Sequence, residues 1–149
     1  MKSRGMSQLP PDLQRFLESN TRAFLFGLRE DGSPTGHPMT GIYAQARLFV
    51  NTYRKSAKAR NIVRDSRACY LVVNGYDAEK VYGVAVKGEA RILEEGRIPG
   101  RPDDPGNATA GHAGPDVRQR LRSGKRVFVE VIPSEADLIH NVRGAFENA

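Results

Sequence analysis

The chain has 149 residues, with 23 Lys and Arg against 17 Asp and Glu, and a formal net charge of +6. This length predicts one domain over residues 1–149, since domains commonly hold about 100–150 residues. With 39% hydrophobic and 27% charged residues, the composition argues against extensive disorder. No apolar run approaches the roughly 20 residues of a membrane helix and no signal peptide is visible, so we expect no membrane partner. The single cysteine, Cys69, excludes an intramolecular disulfide and suits a cytoplasmic protein.

The positive charge is concentrated in two short stretches of the sequence. Residues 53–67 hold six basic side chains and one acid, and residues 117–126 hold five basic side chains and no acid. Each stretch carries +5, so the rest of the chain has a formal charge of −4. This distribution predicts a localised anionic ligand rather than a uniformly basic protein.

The first half of the chain is predicted to hold two helices and three strands. Apolar spacing and turn residues indicate a helix over 9–20, strands over 23–28, 35–43 and 48–52, and a helix over 56–65. Asp31-Gly32 predicts a tight turn, and Pro38 indicates an edge or an irregularity, since proline cannot donate to a ladder. Ser56 is the expected N-cap of the second helix, whose apolar stripe is Ala59, Ile62 and Val63.

The second half is predicted to be mainly strands, interrupted by a long loop. In chain order, the patterns indicate a strand at 69–73, a long half-buried strand at 81–93, a Gly/Pro-rich loop at 95–116, a short helix at 115–122 and a strand at 127–132 that Pro133 ends. Residues 136–146 are ambiguous. Strands joined by hairpins with few crossover helices predict a mostly β (α+β) fold, an antiparallel barrel with short helices.

The first basic stretch contains a candidate phosphate site. A strand leads into a polar turn and a helix start, where Thr52, Ser56 and Lys58 supply two hydroxyls and an ammonium. The unpaired N–H groups and the positive dipole at a helix N-terminus favour an anion. A solvated basic helix capped by Ser56 explains the same residues, so both interpretations stay open at this point. The second stretch likewise fits either a solvated helix face or a surface that closes over an anionic substrate or coenzyme tail.

Several motifs over residues 24–73 carry a family resemblance. They are Asp31-Gly32-Ser33-Pro34, Pro38, Phe49-Val50-Asn51-Thr52 and Thr52-x3-Ser56-x-Lys58-x2-Asn61-Ile62-x2-Asp65-x-Arg67. Together they resemble the FMN-binding split-barrel superfamily, which includes pyridoxamine 5′-phosphate oxidase and the flavin/deazaflavin oxidoreductases. The resemblance implies an antiparallel split β-barrel with short flanking helices. It also implies a homodimer with two cofactor sites at its interface, and an oxidoreductase that acts on a small organic molecule.

The resemblance also implies which residues bind the cofactor. Lys58 would hold the phosphate, with help from Ser56, Thr52 and either Arg54 or Lys55, and Asn61 belongs to the same motif. On the second strand, backbone contacts along the ring would come from Pro38, Met39 and Thr40. Residues 58–62 are similar to the branch that binds the deazaflavin coenzyme F-420, which slightly favours F-420 over FMN.

The sequence offers no dedicated catalytic constellation. The candidate proton donors are Tyr43, His37 and Tyr53, whereas the three scattered histidines and one cysteine give no metal-ligand spacing. Heme-binding relatives use a histidine ligand, for which His37 and His140 are available, although a lone histidine is more often structural. Two further functions are considered, a β-barrel that binds single-stranded nucleic acid and a carrier or sensor that binds flavin without turnover. The first is disfavoured because 7% aromatic residues and no tryptophan give no evident stacking platform.

Overall fold

A computed structural model describes residues 9–74, 82–94 and 115–139 of the chain. The elements of these residues are α1 (Pro11–Ser19), β1 (Arg22–Leu28), β2 (Pro34–Thr40), β3 (Ile42–Ala44), β4 (Arg47–Tyr53), α2 (Ala57–Arg64), β5 (Arg67–Val73), β6 (Gly83–Leu93), α3 (Pro115–Ser123) and β7 (Arg126–Ile139). Within these ranges, no helix combines the length and the apolar character needed to cross a membrane.

The strands form a single sheet that curls into a split barrel. Its order is β2-β1-β5-β6-β7-β4-β3, and every neighbouring pair is antiparallel. The two edge strands, β2 and β3, are consecutive in the chain and separated only by Gly41. Both edges of the sheet must therefore come together at that residue. The predicted mostly β, antiparallel barrel with short helices is confirmed.

The prediction of one continuous strand over 35–43 is wrong, because the strand breaks at Gly41. A Cβ atom at Gly41 would overlap the hydroxyl of Tyr70, so only glycine fits the corner. The N–H of Gly41 donates to the carbonyl of Thr21 at 2.7 Å, outside both strands. As a result β2 pairs with β1 and β3 pairs with β4. Pro38 does lie on an edge strand, as its missing N–H predicts.

The prediction that Pro133 ends the last strand is also wrong, since β7 continues to Ile139. Its pairing with β6 shifts register, because Gly88 faces Pro133 whereas Lys87 faces Glu135. Ser134 is therefore the extra residue of a β-bulge, and its hydroxyl donates to the carbonyl of Lys87 at 3.1 Å. A bulge leaves one residue out of the ladder, so the strand accommodates the proline without ending.

Two clusters of apolar side chains lie on opposite faces of the sheet. The inner cluster fills the barrel and is closed by α1 and α2; its members include Leu13, Phe16, Leu17, Leu25, Leu48, Val50, Ile62, Tyr70, Val72, Val84, Val86, Val129 and Val131. The outer cluster lies beneath α3 and consists of Ile42, Ala44, Phe49, Leu121 and Phe128. Alternate residues of β4 and β7 thus serve the two faces, as the period-2 geometry of strands requires.

Some of the remaining predictions concern described residues, and others fall outside the described ranges. Helix α2 and its Ser56 cap agree with the prediction, but Val63 is 76% exposed, so it does not belong to the buried stripe of Ala59 and Ile62. The predicted loop over 95–116 lies outside the described residues except at its end, where α3 begins at Pro115. Of the ambiguous stretch, residues 136–139 extend β7 and 140–146 fall outside the described ranges.

Candidate cofactor site

The start of α2 presents hydroxyl and N–H groups in a confined place. Thr52, on the inner face of β4, is 3% exposed, and its Oγ1 lies 3.1 Å from Oγ of Ser56. Ser56 caps the helix by accepting a hydrogen bond of 3.2 Å from the N–H of Ala59. The N–H groups of the first helical turn before Ala59 have no intrahelical carbonyl to bind. This arrangement offers donors and a positive dipole to an anion.

Lys58 places a positive charge beside these donors. Among the described residues its ammonium forms no hydrogen bond or ion pair, and its side chain is half-buried. It lines a small cavity between α2 and the inner faces of β1 and β2, together with Leu25, Gly27, Thr35, His37, Asn61 and Ile62. An ammonium without a counter-ion at the wall of a cavity favours an anionic ligand.

His37 also lines this cavity, and nearby positive charges affect the pKa of its imidazole. Its Nε2 atom lies 3.5 Å from Oγ1 of Thr35, which is two residues earlier on the same face of β2. Partial burial lowers the pKa of His37 below its ordinary value, and the positive charges of Lys58 and Arg29 lower it further. The imidazole is therefore largely neutral at pH 7. The two charges that contribute to this lowering, those of Lys58 and Arg29, have the sign that attracts an anion.

The residues predicted to contact a cofactor ring lie along the edge strand β2. Pro38, Met39 and Thr40 pair with Phe24, Ala23 and Arg22 of β1 on one side only. Pro38 and Thr40 are exposed on the outer face, whereas Met39 packs against the inner apolar cluster. An edge strand carries backbone groups that no neighbouring strand uses, so this segment can offer backbone contacts to a ligand.

Arg54 points away from Lys58. Its Nε donates to the carbonyl of Gly124 at 2.8 Å, and its Nη1 contacts a carboxylate oxygen of Glu94 at 3.1 Å. Lys55 is exposed on the turn before α2. Asn61 accepts a hydrogen bond from Arg64 one helical turn later. The structure therefore joins Thr52 to Ser56 and places Lys58 and Asn61 on the wall of one cavity, whereas Arg54 turns towards Gly124 and Glu94.

The two basic stretches of the sequence meet at Tyr53. In the β4–β7 ladder Tyr53 pairs with Arg126, whose guanidinium carbon lies 4.4 Å from the centre of the tyrosine ring. Arg126 also donates to Oδ1 of Asn51 at 2.9 Å, and Arg120 donates to the Tyr53 hydroxyl at 2.7 Å. The two stretches thus form one positive surface. Sequence spacing could not predict this, because strand pairing alone brings the two stretches together.

The sequence suggested His37 as a proton donor or a heme ligand but not as part of the cofactor site, and it did not single out Thr35. Both lie on the face of β2 that also carries Met39, so the alternation of the strand was the signal that could have found them. Tyr43, another candidate donor, is buried in the inner cluster, and burial followed by the charge of Glu18 raises its pKa. Among residues 9–74, 82–94 and 115–139, no group of His, Cys, Asp and Glu could hold a metal ion.

Known proteins share this architecture. The family model for pyridoxamine 5′-phosphate oxidase matches residues 9–140. No curated protein matches the sequence. A conserved hypothetical protein from Mycobacterium tuberculosis has a similar structure, with a TM-score of 0.70 and 23% identity over 97% of this chain and 93% of that chain.

Two further solved structures carry functional descriptions of their own. An F420 reductase is similar with a TM-score of 0.66 and 18% identity, over 87% of this chain and 98% of that chain. A heme-binding protein from Mycobacterium smegmatis has a TM-score of 0.64 and 15% identity, over 90% of this chain and 55% of that chain. Because fold does not determine activity, these likenesses show the split-barrel fold alone.

Proposed function

The chain belongs to the pyridoxamine 5′-phosphate oxidase family, and we propose that it is an oxidoreductase that uses a flavin or deazaflavin cofactor on a small organic substrate. The family is flavin-related, and the structurally similar F420 reductase supports this class of cofactor. The cofactor supplies the hydride or electron transfer when it is bound, while the protein binds and orients it. This division of labour accounts for a site without a dedicated catalytic acid and base.

One observation carries the proposal, namely the ammonium of Lys58, which has no partner among the described residues and lies near the capped start of α2. A phosphate there would accept from the ammonium, from the hydroxyls of Thr52 and Ser56 and from N–H groups of the first turn. Hydrogen bonds between charged groups contribute about 1.5–3 kcal/mol each. FMN and coenzyme F-420 each carry a phosphate, so the donor set fits both.

The ring of the cofactor is proposed to lie along β2. Pro38, Met39 and Thr40 are close in sequence to His37, which shares the Lys58 cavity, so a ligand held by its phosphate at α2 can extend along this edge. Exposed backbone on an edge strand supplies contacts that do not depend on side-chain identity. We further propose that the chain is a homodimer and that the partner subunit covers this edge.

Coenzyme F-420 is the preferred cofactor of the proposal. Beyond a phosphate, it carries an anionic glutamate tail, and the joined positive surface around Tyr53, Arg120 and Arg126 supplies charge for such a tail. FMN has no such tail, so that surface would remain without a role in FMN binding. The preference rests on charge complementarity.

A spectroscopic titration tests the proposal. The purified protein is titrated with FMN and with coenzyme F-420, and binding is followed by absorption and fluorescence of the ring. Lys58→Ala is expected to weaken binding at least about tenfold, because it removes one charge-assisted contact. Lys87→Ala is the matched control, since that exposed lysine lies on β6, outside both basic stretches. Absence of binding by both cofactors would refute the proposal, and an unchanged affinity of Lys58→Ala would refute the phosphate site.

Turnover separates the enzyme from a flavin carrier or sensor. The reduced cofactor is bound to the protein, and its reoxidation is followed with and without small quinone or nitroaromatic acceptors. An enzyme accelerates reoxidation by the acceptor above the rate for free cofactor, whereas a carrier slows it. Acceleration that disappears in Lys58→Ala together with cofactor affinity would assign the activity to this site.

Nucleic-acid binding is the less favoured alternative. The joined positive surface would attract phosphates. However, the guanidinium of Arg126 covers one face of the Tyr53 ring, and Arg120 donates a hydrogen bond to the Tyr53 hydroxyl. Base stacking needs a free aromatic face. Affinity for a single-stranded oligonucleotide that falls steeply with salt would support the alternative, and no binding at low salt would exclude it.

A further inference from the structure

We propose that a second ligand site, separate from the candidate cofactor site, lies on the other side of α2 and binds a small carboxylate with an apolar body. A cavity of about 270 Å³ opens there. Its lining residues include Arg54, Arg60 and Arg64 and an apolar floor of Val63, Ile92 and Val127. Hereafter it is called the arginine cavity.

The arginine cavity is distinct from the cavity of Lys58. The two have no lining residue in common, and they flank α2 on opposite sides. Lys58 and Asn61 face β1 and β2, whereas Arg60 and Val63 face the ends of β6 and β7. A ligand in one cavity therefore does not occupy the other.

The apolar floor can bury the apolar body of the ligand. Val63 is 76% exposed and is one of two large hydrophobic side chains exposed among the described residues. Ile92, which packs against the inner cluster, and the buried Val127 line the same cavity. Exposed apolar surface that is concave and rimmed by polar groups is typical of ligand sites, because a bound apolar group removes it from water.

The charges of the arginine cavity are unbalanced. Three arginines face one acid, Glu94, so the lining has a formal charge of +2. Arg64 is engaged by the carbonyl of Leu28 at 3.4 Å and by Asn61. Arg60, by contrast, forms no hydrogen bond or ion pair with the described residues, and its side chain is exposed. Its guanidinium is thus available to a carboxylate.

Glu94 identifies the anion as a carboxylate. Its Oε2 atom lies 3.1 Å from Nη1 of Arg54, so a carboxylate already binds at the cavity wall. The Glu94 side chain is 76% exposed, and exposed ion pairs of this kind are weak. An external carboxylate that also buries an apolar body on Val63 can therefore replace Glu94 at Arg54 and bind Arg60 as well. Glu94 competes with the ligand in this arrangement.

The experiment uses benzoate as the probe and benzamide as its neutral counterpart of the same shape. Both are titrated into the full chain, with calorimetry for affinity and backbone amide shifts for location. Benzoate is expected to shift the amides of Arg60, Val63 and Val127, and to bind at least about tenfold more tightly than benzamide, since the charged contact is lost in the amide. Equal affinity of the two compounds, or benzoate shifts confined to Lys58 and His37, would overturn the proposal.

Three exposed substitutions sharpen the result without disturbing the core. Glu94→Gln is expected to increase benzoate affinity severalfold, because it removes the internal competitor, whereas Glu89→Gln, an exposed acid elsewhere on β6, leaves affinity nearly unchanged. Arg60→Gln is expected to reduce affinity about tenfold. An equal gain in the two glutamate variants, or an unchanged affinity in Arg60→Gln, would contradict the site. If Lys58→Ala loses cofactor binding but still binds benzoate with unchanged affinity, the result supports two separate sites.

Discussion

The hydroxyl of Tyr70 occupies the place that a Cβ atom at Gly41 would take, and this contact turns the chain from one edge of the sheet to the other. Gly41→Ala is expected to reduce the free energy of unfolding by about 1–3 kcal/mol, because overpacking a closely packed site displaces the backbone or the side chain. Tyr70 is 1% exposed, so its ring has no free space to move into. Denaturant unfolding measures the change.

Gly27→Ala provides the control for this substitution. Gly27 lies within β1, and a Cβ atom there would meet no heavy atom within 4 Å, so we expect a change below about 1 kcal/mol. In the double variant Gly41→Ala/Tyr70→Phe, the hydroxyl that overlaps most is absent and only the ring carbon Cζ would remain too close, at 2.7 Å, so the two changes should be less than additive. Additive losses would show that the hydroxyl is not what excludes alanine.

The burial of Tyr70 also predicts how stability depends on alkaline pH. Burial raises the pKa of Tyr70 well above its ordinary value of 10.0, and a hydrogen bond with the backbone of Ile42 opposes this effect. Below pH 10 the phenol is neutral in both states, and stability is unaffected by its titration. Above pH 10 the unfolded state loses the proton while the folded state keeps it, so the free energy of unfolding falls.

The measurement is urea unfolding at several pH values between about 9 and 11. Wild-type protein should lose stability over this interval, and Tyr70→Phe should lose less, because the buried phenol is absent. Part of the decline should persist, since burial and Glu18 also raise the pKa of Tyr43. An identical decline in both proteins would mean that Tyr70 ionises in the folded state as readily as in the unfolded state.

The features that sequence reasoning predicted are those with local causes. Ser56 begins α2 because a capping hydroxyl acts on an N–H three residues later, and the hydroxyls of Thr52 and Ser56 meet because they flank one strand-to-helix turn. The same holds for Asp31, which forms the turn by accepting from the N–H of Ser33 at 2.9 Å. Short-range rules are sufficient for each of these.

The features that sequence reasoning missed depend on partners far along the chain. The break at Gly41 requires Tyr70, and the passage of β7 through Pro133 requires the register shift opposite Lys87 and Gly88. Neither partner can be identified from spacing, because strand register is set by packing of the whole sheet. The same reason explains why the union of the two basic stretches at Tyr53 was not foreseen.

The proximity of His37 and Lys58 leads to a prediction for their titration. Because burial and the charges of Lys58 and Arg29 all lower the pKa of His37, its imidazole should titrate below its ordinary value of 6.5. Replacing Lys58 with Met removes one of these three causes, so the pKa of His37 should rise. Proton NMR of the imidazole resonances measures it, with Lys55→Met as a control on the exposed turn. A pKa that stays constant in Lys58→Met would place the ammonium away from the imidazole.

The sign of the accompanying stability change follows from the same shift. When the folded pKa of His37 is lowered, the unfolded state binds more protons as the pH falls through 6.5, so stability decreases on acidification. An anion bound at Lys58 should oppose this, because it stabilises the protonated imidazole. Inorganic phosphate is therefore expected to raise the pKa of His37, and a pKa indifferent to phosphate would count against the anion site.

The last prediction concerns Glu130, a carboxylate that is 3% exposed on β7. Arg47 and Arg91, from the strands on either side, each approach its Oε1 atom at 3.3 Å. Removing both partners in Arg47→Gln/Arg91→Gln leaves a buried charge unpaired, so we expect a loss of about 3–5 kcal/mol in the free energy of unfolding. The control is Arg67→Gln, which breaks the exposed pair with Asp65 and should change stability by at most about 1 kcal/mol.

A third variant distinguishes an unpaired charge from lost packing around Glu130. Adding Glu130→Leu to Arg47→Gln/Arg91→Gln removes the charge that the double variant leaves unpaired, so most of the lost stability should return. Restoration would mean that the two arginines are retained to neutralise Glu130 rather than to stabilise the sheet by themselves. If the triple variant is as unstable as the double, the arginine stems that cover the outer face of β4, β6 and β7 carry the stability instead, because long side chains contribute by packing as well as by charge.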